Sequence, residues 1–450
     1  MPSGSGKLEE KLVPLRASYL RAKAGLQSLR RHGDNLKIIH QNNDLMSAHR
    51  FDRTKIYSKV KRLRGQNSSD TPLKLETPLG LYFGQDVLEG FAADAEYLGR
   101  SRGEPDTFDN EFYRLCKLDN AFIFEFKGEE EIKIPPMSKE RFDEIISSEM
   151  KRGKACDIYQ LTVEHIQMCG DEAKLCILNL INRIIEDIYF LSCPQAKAGI
   201  GSSVHKGKRK PRTSSKSYRR ITVCPQLGTI LDRYIDPTTE NIFRSRQSQD
   251  QLGFTKGISY LLASLQRGEC QRWAVDQKMT CFGVSLDGEA AFPSVDRDIQ
   301  IRELYAIGER GDFLQFSRNT YLNTECSIKL DGKLSRSFQE FTGNRQGHVK
   351  AAGHFKAYIN PCLEAVNSSG LGFKIGPITV GAECCADDLY IQTDSQSALQ
   401  AAINIVSTMP VVIESCSMHI RTTLLRLDPN MTWKMCKISS LGTLTIKQSM

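Results

Sequence analysis

The sequence predicts an α+β fold in which an antiparallel sheet is backed by packed helices, and three observations carry that expectation. Residues 280–286 form an apolar run of strand composition closed by Asp287, and the polar, helix-compatible stretch 294–307 follows. A second apolar run, 378–385, leads into Asp387 and Asp388, and 389–391 leads out, the pattern of a β-hairpin with carboxylates at its tip. Residues 395–409 then place Leu399, Ile403, Val406 and Met409 on one helical stripe, an apolar face suited to covering a sheet.

The remaining elements follow in chain order. Residues 1–64 read as a basic helical region, with Leu8, Leu12, Leu15, Tyr19 and Leu26 near helical spacing. GQNSSDTP, 65–72, is a turn-rich break that opens a connecting segment running to 131. Within that segment, 80–99 is amphipathic, and its expected role is structural. A second block opens near Ile132, where Ser138 is the expected N-cap of the helix KERFDEIISSEMKRG. The next helix shows an apolar face of Leu178, Ile181, Ile185 and Ile188.

Composition excludes several classes of protein. The 450 residues suffice for two or three domains, and the composition is that of an ordinary globular chain rather than a disordered one. No apolar run reaches the length of a membrane span, and the first residues lack the apolar stretch of a signal peptide, so the chain is expected inside the cell and off the membrane. The fourteen cysteines are scattered, without CxxC pairs or Cys/His zinc spacing. Cys384 and Cys385 are expected as small buried hydrophobes, and His348 and His354 as packing or surface residues rather than metal ligands.

Charge is distributed unevenly. Residues 1–64 hold fifteen Lys or Arg against five Asp or Glu, a surplus of ten that exceeds the +8 of the whole chain. The acid-free run 204–220 adds Lys206, Lys208, Arg209, Lys210, Arg212, Lys216, Arg219 and Arg220. Such clusters suit phosphate backbones and counterion release, although a solvated face or a nuclear-import signal accounts for the first run equally well.

The acidic residues carry the chemistry. An isolated Asp-Asp dipeptide is most often a solvated turn. A carboxylate at the end of a core strand, however, can meet such a pair from a rigid support. Neighbouring carboxylates repel unless a cation neutralises them, and hard divalent ions take oxygen ligands.

In their context these residues resemble a known family. The strand ending in Asp287 and the ADD of 386–388 are similar to motifs A and C of reverse transcriptases. GNRQGHVKAAGHFKAYINPCLEAV, 343–366, resembles motif B. SYRRITVCPQLGTILDRYI from Ser217 resembles the "YRPI" fingers motif, and QDQLGFTKGISYLLA from Gln249 the "GFRKG" motif. Together with KACDIYQLTVEHIQMCG at the polymerase entrance, the order of these motifs over roughly 154–393 is best matched by the non-LTR (LINE-type) retrotransposons of animals.

The resemblance implies a right-hand polymerase with fingers and palm over 132–409, preceded by the basic region and the connector. It implies RNA-directed DNA polymerase activity, with RNA template, DNA primer or target, and dNTPs as partners, and a nuclear or cytoplasmic location. Asp287, Asp387 and Asp388 would hold two Mg²⁺ ions, Mn²⁺ being a substitute, with the Gly288 carbonyl as a further ligand. Phe292 would be the steric gate against ribonucleotides; by composition alone it would be core. Gln346 and Gly347 would line the nucleotide pocket, with Arg345 as a neighbour of undefined task. Arg219 would bind triphosphate oxygens, while Lys256 and Gly257 would shape the template path.

There are departures from the pattern. Pro293 stands where many relatives have Asp, Arg220 replaces the usual Pro, and Ala352-Gly353 replaces Ser-Pro; none removes a metal ligand. No endonuclease sequence is read before the polymerase motifs, and the chain is expected to begin after that domain. Residues 410–450 read as a divergent tail in which motif D, primer grip and thumb are not legible. A decayed or co-opted nucleic-acid-binding remnant is therefore the alternative to an active enzyme. An RNA-dependent RNA polymerase is disfavoured by Phe292 and by ADD in place of GDD.

Overall fold

Leu75 and Thr77 alternate with exposed neighbours, and this short half-buried strand, β1 (Lys74–Thr77), pairs antiparallel with β2 (Gly80–Phe83). The structure is a computed structural model that describes residues 72–100, 110–125, 132–187, 197–207, 210–259, 261–288 and 291–409, with three short strands beyond. The basic region 1–64, and Ile188, Lys208 and Arg209, lie outside the described residues.

Helix α1 (Val87–Gly99) buries Val87, Phe91, Ala92 and Ala95, the expected amphipathic face. In α2 (Asn110–Glu125), Tyr113 Oη donates to Asp298 Oδ2 (2.9 Å), and Asn120 Nδ2 donates to the Asp298 carbonyl (2.8 Å). The described part of the expected connector is thus built into the fold.

Ser138 caps α3 (Lys139–Glu144) as expected, its Oγ accepting from Arg141 N at 3.2 Å, and a π-turn over Ile145–Glu149 continues the helix. Helix α4 (Val163–Met168) and α5 (Asp171–Glu186) follow. Leu178, Ile181 and Ile185 of α5 pack with Phe142 and Ile145 in the core of a helical lobe.

Next come β3 (Gly199–His205), β4 (Tyr218–Val223), α6 (Gln226–Arg246), α7 (Leu261–Asp276) and β5 (Cys281–Gly288). Helix α8 (Arg297–Ala306) begins at Asp296, whose carboxylate accepts from the amides of Asp298 and Ile299. Helix α9 (Gly311–Tyr321), β6 (Thr324–Leu330), β7 (Lys333–Glu340) and α10 (Ala351–Ser368) precede the hairpin of β8 (Phe373–Ile375) and β9 (Ile378–Val380). Then follow β10 (Ala382–Cys385), β11 (Asp388–Thr393), α11 (Gln396–Thr408), β12 (Met418–Ile420), β13 (Leu424–Leu427) and β14 (Trp433–Cys436).

Two sheets organise these elements. The palm sheet has the order β10-β11-β5-β13-β14, antiparallel throughout, with β12 also on β5. The other has the order β4-β3-β6-β7, in which β3 and β6 are parallel. Val284, Leu286, Leu389 and Ile391 of the palm strands pack against Leu399, Ile403 and Val406 of α11 and Tyr358 and Leu363 of α10. Each fully buried side chain of this kind stabilises by about 1.5–3 kcal/mol. Met409 packs at the edge of the same core, completing the expected stripe.

Where the sequence offers no readable element after residue 409, β12 and β13 occupy one edge of β5 and β14 extends the sheet. Strands of three or four residues take their order from pairing partners, not from a periodicity of their own. Among the described residues no helix is long and apolar enough to cross a membrane.

Candidate active site

Asp287 and Asp388 are Cα partners in register across β5 and β11, and Cys385 is the partner of Asp388 across the β10–β11 hairpin. Directly opposed residues of an antiparallel pair stand about 4.5–5.5 Å apart between Cα atoms. The hairpin turn is Ala386-Asp387, with Ala386 held at a φ of +66°. Asp388 is exposed and Asp387 half-buried. Burial, and then the negative charge of Asp388 and Asp387, pushes the Cys385 thiol pKa up.

The carboxylate pair at an accessible tip, with a third acid in register on the adjoining strand, is a hard oxygen donor set of the kind divalent cations take. A bound cation would relieve its self-repulsion. By its chemistry the pair of Asp387 and Asp388 suits a divalent metal. Cys384, behind the pair, is fully buried as expected.

A segment that the sequence did not place beside the acids supports the hairpin. Leu252 N donates to the Cys384 carbonyl (2.8 Å), and Cys384 N donates to the Asp250 carbonyl (2.9 Å), so residues 250–252 run along β10. At Gly253 an added Cβ would stand 2.1 Å from Ala386 N, an approach that only glycine allows. Lys256 and Gly257, just beyond, are exposed.

Phe292 is half-buried. Its ring stacks on Phe355 of α10 (centroids 4.8 Å apart, 13° between planes) and meets Phe254 edge-on at 6.0 Å. Its carbonyl accepts from Asn344 N at 2.7 Å, which ties the loop after β5 to the loop before α10.

That second loop is in turn tied to β4, because Thr222 N donates to the Gln346 carbonyl at 2.7 Å. Gly347 has a φ of +110°, and a Cβ there would stand 2.5 Å from the Thr222 carbonyl oxygen. Arg219 and Ile221 lie on the exposed side of β4, whereas Arg220 and Thr222 turn inward. The structure thus joins Phe292, Gln346, Gly347 and the Arg219 strand through consecutive backbone hydrogen bonds.

Arg345 has a defined task here: its Nε donates to Glu340 Oε2 at 2.7 Å, and both side chains are at most 5 % exposed. Arg220, the departure from the family pattern, pairs with Glu340 Oε1 at 3.2 Å. Sequence reading missed Glu340, because an acid five residues before an arginine in an extended strand carries no periodic or motif signal. His348 Nε2 lies 2.9 Å from Asp232, and His354 is wholly buried beside Tyr321 and Ser317, both in packing roles as expected. Burial first, then the charges of Lys350 and His348, holds the His354 pKa well below its ordinary value.

With the carboxylate register and the loop linkages established, comparison with known proteins identifies the class. Residues 205–413 match the family described as reverse transcriptase (RNA-dependent DNA polymerase). The chain is 27 % identical over 125 residues to the Pol polyprotein of the type-2 retrotransposable element R2DM of Drosophila melanogaster, covering 28 % of this chain and 12 % of that protein. It is 28 % identical over 121 residues to an uncharacterised 149 kDa protein of transposon TX1 of Xenopus laevis, covering 26 % and 9 %. It is also similar to a solved apo telomerase of Candida tropicalis, with TM-score 0.40 and 8 % identity over 54 % of this chain and 56 % of that one.

Residues 205–413 are a reverse transcriptase domain, similar to those of non-LTR retrotransposons. Members of this family are RNA-directed DNA polymerases that use divalent metal ions and bind a nucleic-acid template and primer. The chain spans about an eighth or less of the length of these two transposon relatives.

Proposed function

We propose that this chain copies RNA into DNA, extending a DNA primer with dNTPs, and that Asp287, Asp387 and Asp388, with the Gly288 carbonyl, hold two Mg²⁺ ions or Mn²⁺ in their place. The observation that carries the reading is the register of the exposed Asp388 with Asp287 at the end of the palm strands, next to Asp387 in the hairpin turn. Bound there, divalent ions would lower the pKa of the primer 3′-hydroxyl and neutralise charge on the departing pyrophosphate.

The chain's own groups position the reactants. Arg219, exposed on β4, suits bidentate binding of triphosphate oxygens. The Gly347 backbone allows close approach of the nucleotide, and Gln346 offers an amide to it. Phe292, braced by Phe355, presents a ring edge to the sugar and excludes a 2′-hydroxyl. The basic runs receive template and primer phosphates, and a nuclear location accords with a chromosomal target as primer.

The test is extension of oligo(dT) on poly(A) with Mg²⁺ and dNTPs. Wild type is expected to extend and Asp387→Asn to lose extension, with equal binding of the duplex in chelator. A wild type that binds and does not extend would make the chain a co-opted binding protein instead.

A further inference from the structure

Glu340 closes β7 in a fully buried position, and three arginines from three different segments converge on it. Arg345 Nε meets Oε2 at 2.7 Å and Arg220 Nη2 meets Oε1 at 3.2 Å. Arg297, at the start of α8, donates to the Glu340 backbone carbonyl, which also accepts from Thr324 Oγ1 at 3.0 Å. Burial by itself would raise the Glu340 pKa, but Arg345, Arg220 and Arg297 outweigh it and hold the carboxyl below its ordinary value. The carboxylate is thus paired with Arg345 and Arg220, while Arg297 holds the same residue by its backbone carbonyl.

Each arginine adjoins a part of the nucleotide site. Arg345 immediately precedes Gln346, Arg220 immediately follows Arg219, and Arg297 opens α8 after the loop that carries Phe292. Strand alternation turns Arg220 inward while Arg219 stays exposed, so one face of β4 is anchored and the other is offered to solvent. Arg345 likewise turns inward, and its guanidinium also donates to the carbonyls of Lys197 and Glu325. Arg297 donates to the Gly343 carbonyl at 3.2 Å, reaching the same loop from the other side.

We propose that Glu340 is a positioning residue for the incoming nucleotide, acting through Arg345 and Arg220 to hold the Gln346-Gly347 turn and the Arg219 strand in fixed relation. It touches no substrate. A buried ion cluster is weak support for stability, because apolar replacements of equal volume are often as stable. Its specific product is geometry, and here that geometry spans the two segments joined by the Thr222–Gln346 hydrogen bond. The proposal rests on the reading of these segments as a dNTP site.

The test compares Glu340→Gln with wild type in full-length protein, with two readouts. Expected for Glu340→Gln is a KM for dNTP raised about 10–100-fold with kcat within about threefold, the pattern of weakened binding shared by ground state and transition state. Hydrogen exchange at the Thr222 amide should accelerate, while exchange at Leu389 and Ile391 in β11 stays as in wild type. Glu340→Asp, which keeps the charge, should fall between the two. If Glu340→Gln does not fold, the paired variant Glu340→Leu/Arg345→Met, which leaves the carboxylate out together with its closest partner, is expected to fold and to show the same KM rise and the same exchange at Thr222.

Folded variants with unchanged Thr222 exchange, or with kcat reduced and KM unchanged, would overturn the proposal. If wild type extends no primer, the polymerase reading falls, and the exchange comparison alone still decides whether Glu340 couples the two segments.

Discussion

Gly253→Ala perturbs the hairpin tip that carries Asp387, from a segment remote from it in sequence. The added methyl would sit 2.1 Å from Ala386 N and 2.8 Å from Ala386 Cα, and real Cβ contacts essentially never fall below 3.0 Å, so one backbone must retreat by about 1 Å. Both partners are backbone, hence no side-chain rotation absorbs the clash. Residues 250–252 are fastened to β10 by two hydrogen bonds, while Ala386 belongs to a two-residue turn already at positive φ. The displacement therefore falls on the turn that carries Asp387. A misplacement of about 1 Å at reacting groups costs about 100-fold in rate.

Single-nucleotide extension should consequently fall about 100-fold in Gly253→Ala, with cooperative urea unfolding retained. Gly268→Ala, in α7 where nothing lies within 4 Å of the new methyl, is the control. It should keep full extension and gain about 0.5–1 kcal/mol, since alanine is favoured over glycine inside a helix. Wild-type extension in Gly253→Ala would refute the reasoning, because the turn would then tolerate the displacement or the tip would not be the reacting site.

Three further outcomes are expected. Phe292→Ala should lower the preference for dNTP over rNTP by about 10–200-fold, the range for a steric pocket that tells one small group from another, read by competitive incorporation; unchanged preference returns Phe292 to the core alone. Replacing Lys206, Lys210, Arg212, Lys216 and Arg219 with glutamine should weaken RNA and DNA binding and flatten its log–log salt dependence by about 0.7–0.9 per lost phosphate contact, whereas an unaltered slope marks these residues as ordinary surface. Burial raises Glu303 to about 7, above its unfolded value of 4.5, so its contribution is full below pH 4.5 and is lost as pH rises toward 7. Chemical denaturation should show Glu303→Gln gaining on wild type by about 1–3 kcal/mol between pH 5 and 8, and equal pH profiles would disprove the shift.

What the sequence disclosed and what it did not divide along physical lines. A buried strand ending in Asp287, a hairpin around Asp387 and the stripe of Leu399, Ile403 and Val406 are local patterns with periods of two or near four residues, and each stands where those patterns put it. Ser138 was legible as a cap because capping is a one-turn interaction. Glu340 was not, since its meaning lies in guanidinium groups brought from both directions along the chain. Gly253 was not either, because a close approach between backbones leaves only a glycine to read. Strands β12 to β14 were illegible for a third reason: at three or four residues each, they take their order from the strands that they pair with, β5 for β12 and β13, and β13 for β14.

Strand β5 is central in the palm sheet, with β11 on one edge and β12 and β13 on the other. During synthesis it is made well before any of them, and until residue 427 has emerged it carries a row of unpaired amides and carbonyls along an apolar sequence. Unfilled edges of that kind invite pairing with other chains. A copy of the element whose reading frame is lost between the Asp387 hairpin and Met418 would retain Asp287, Asp387 and Asp388 and still present this open edge. Loss of soluble protein by aggregation, rather than loss of chemistry, would then be the first way such a copy fails.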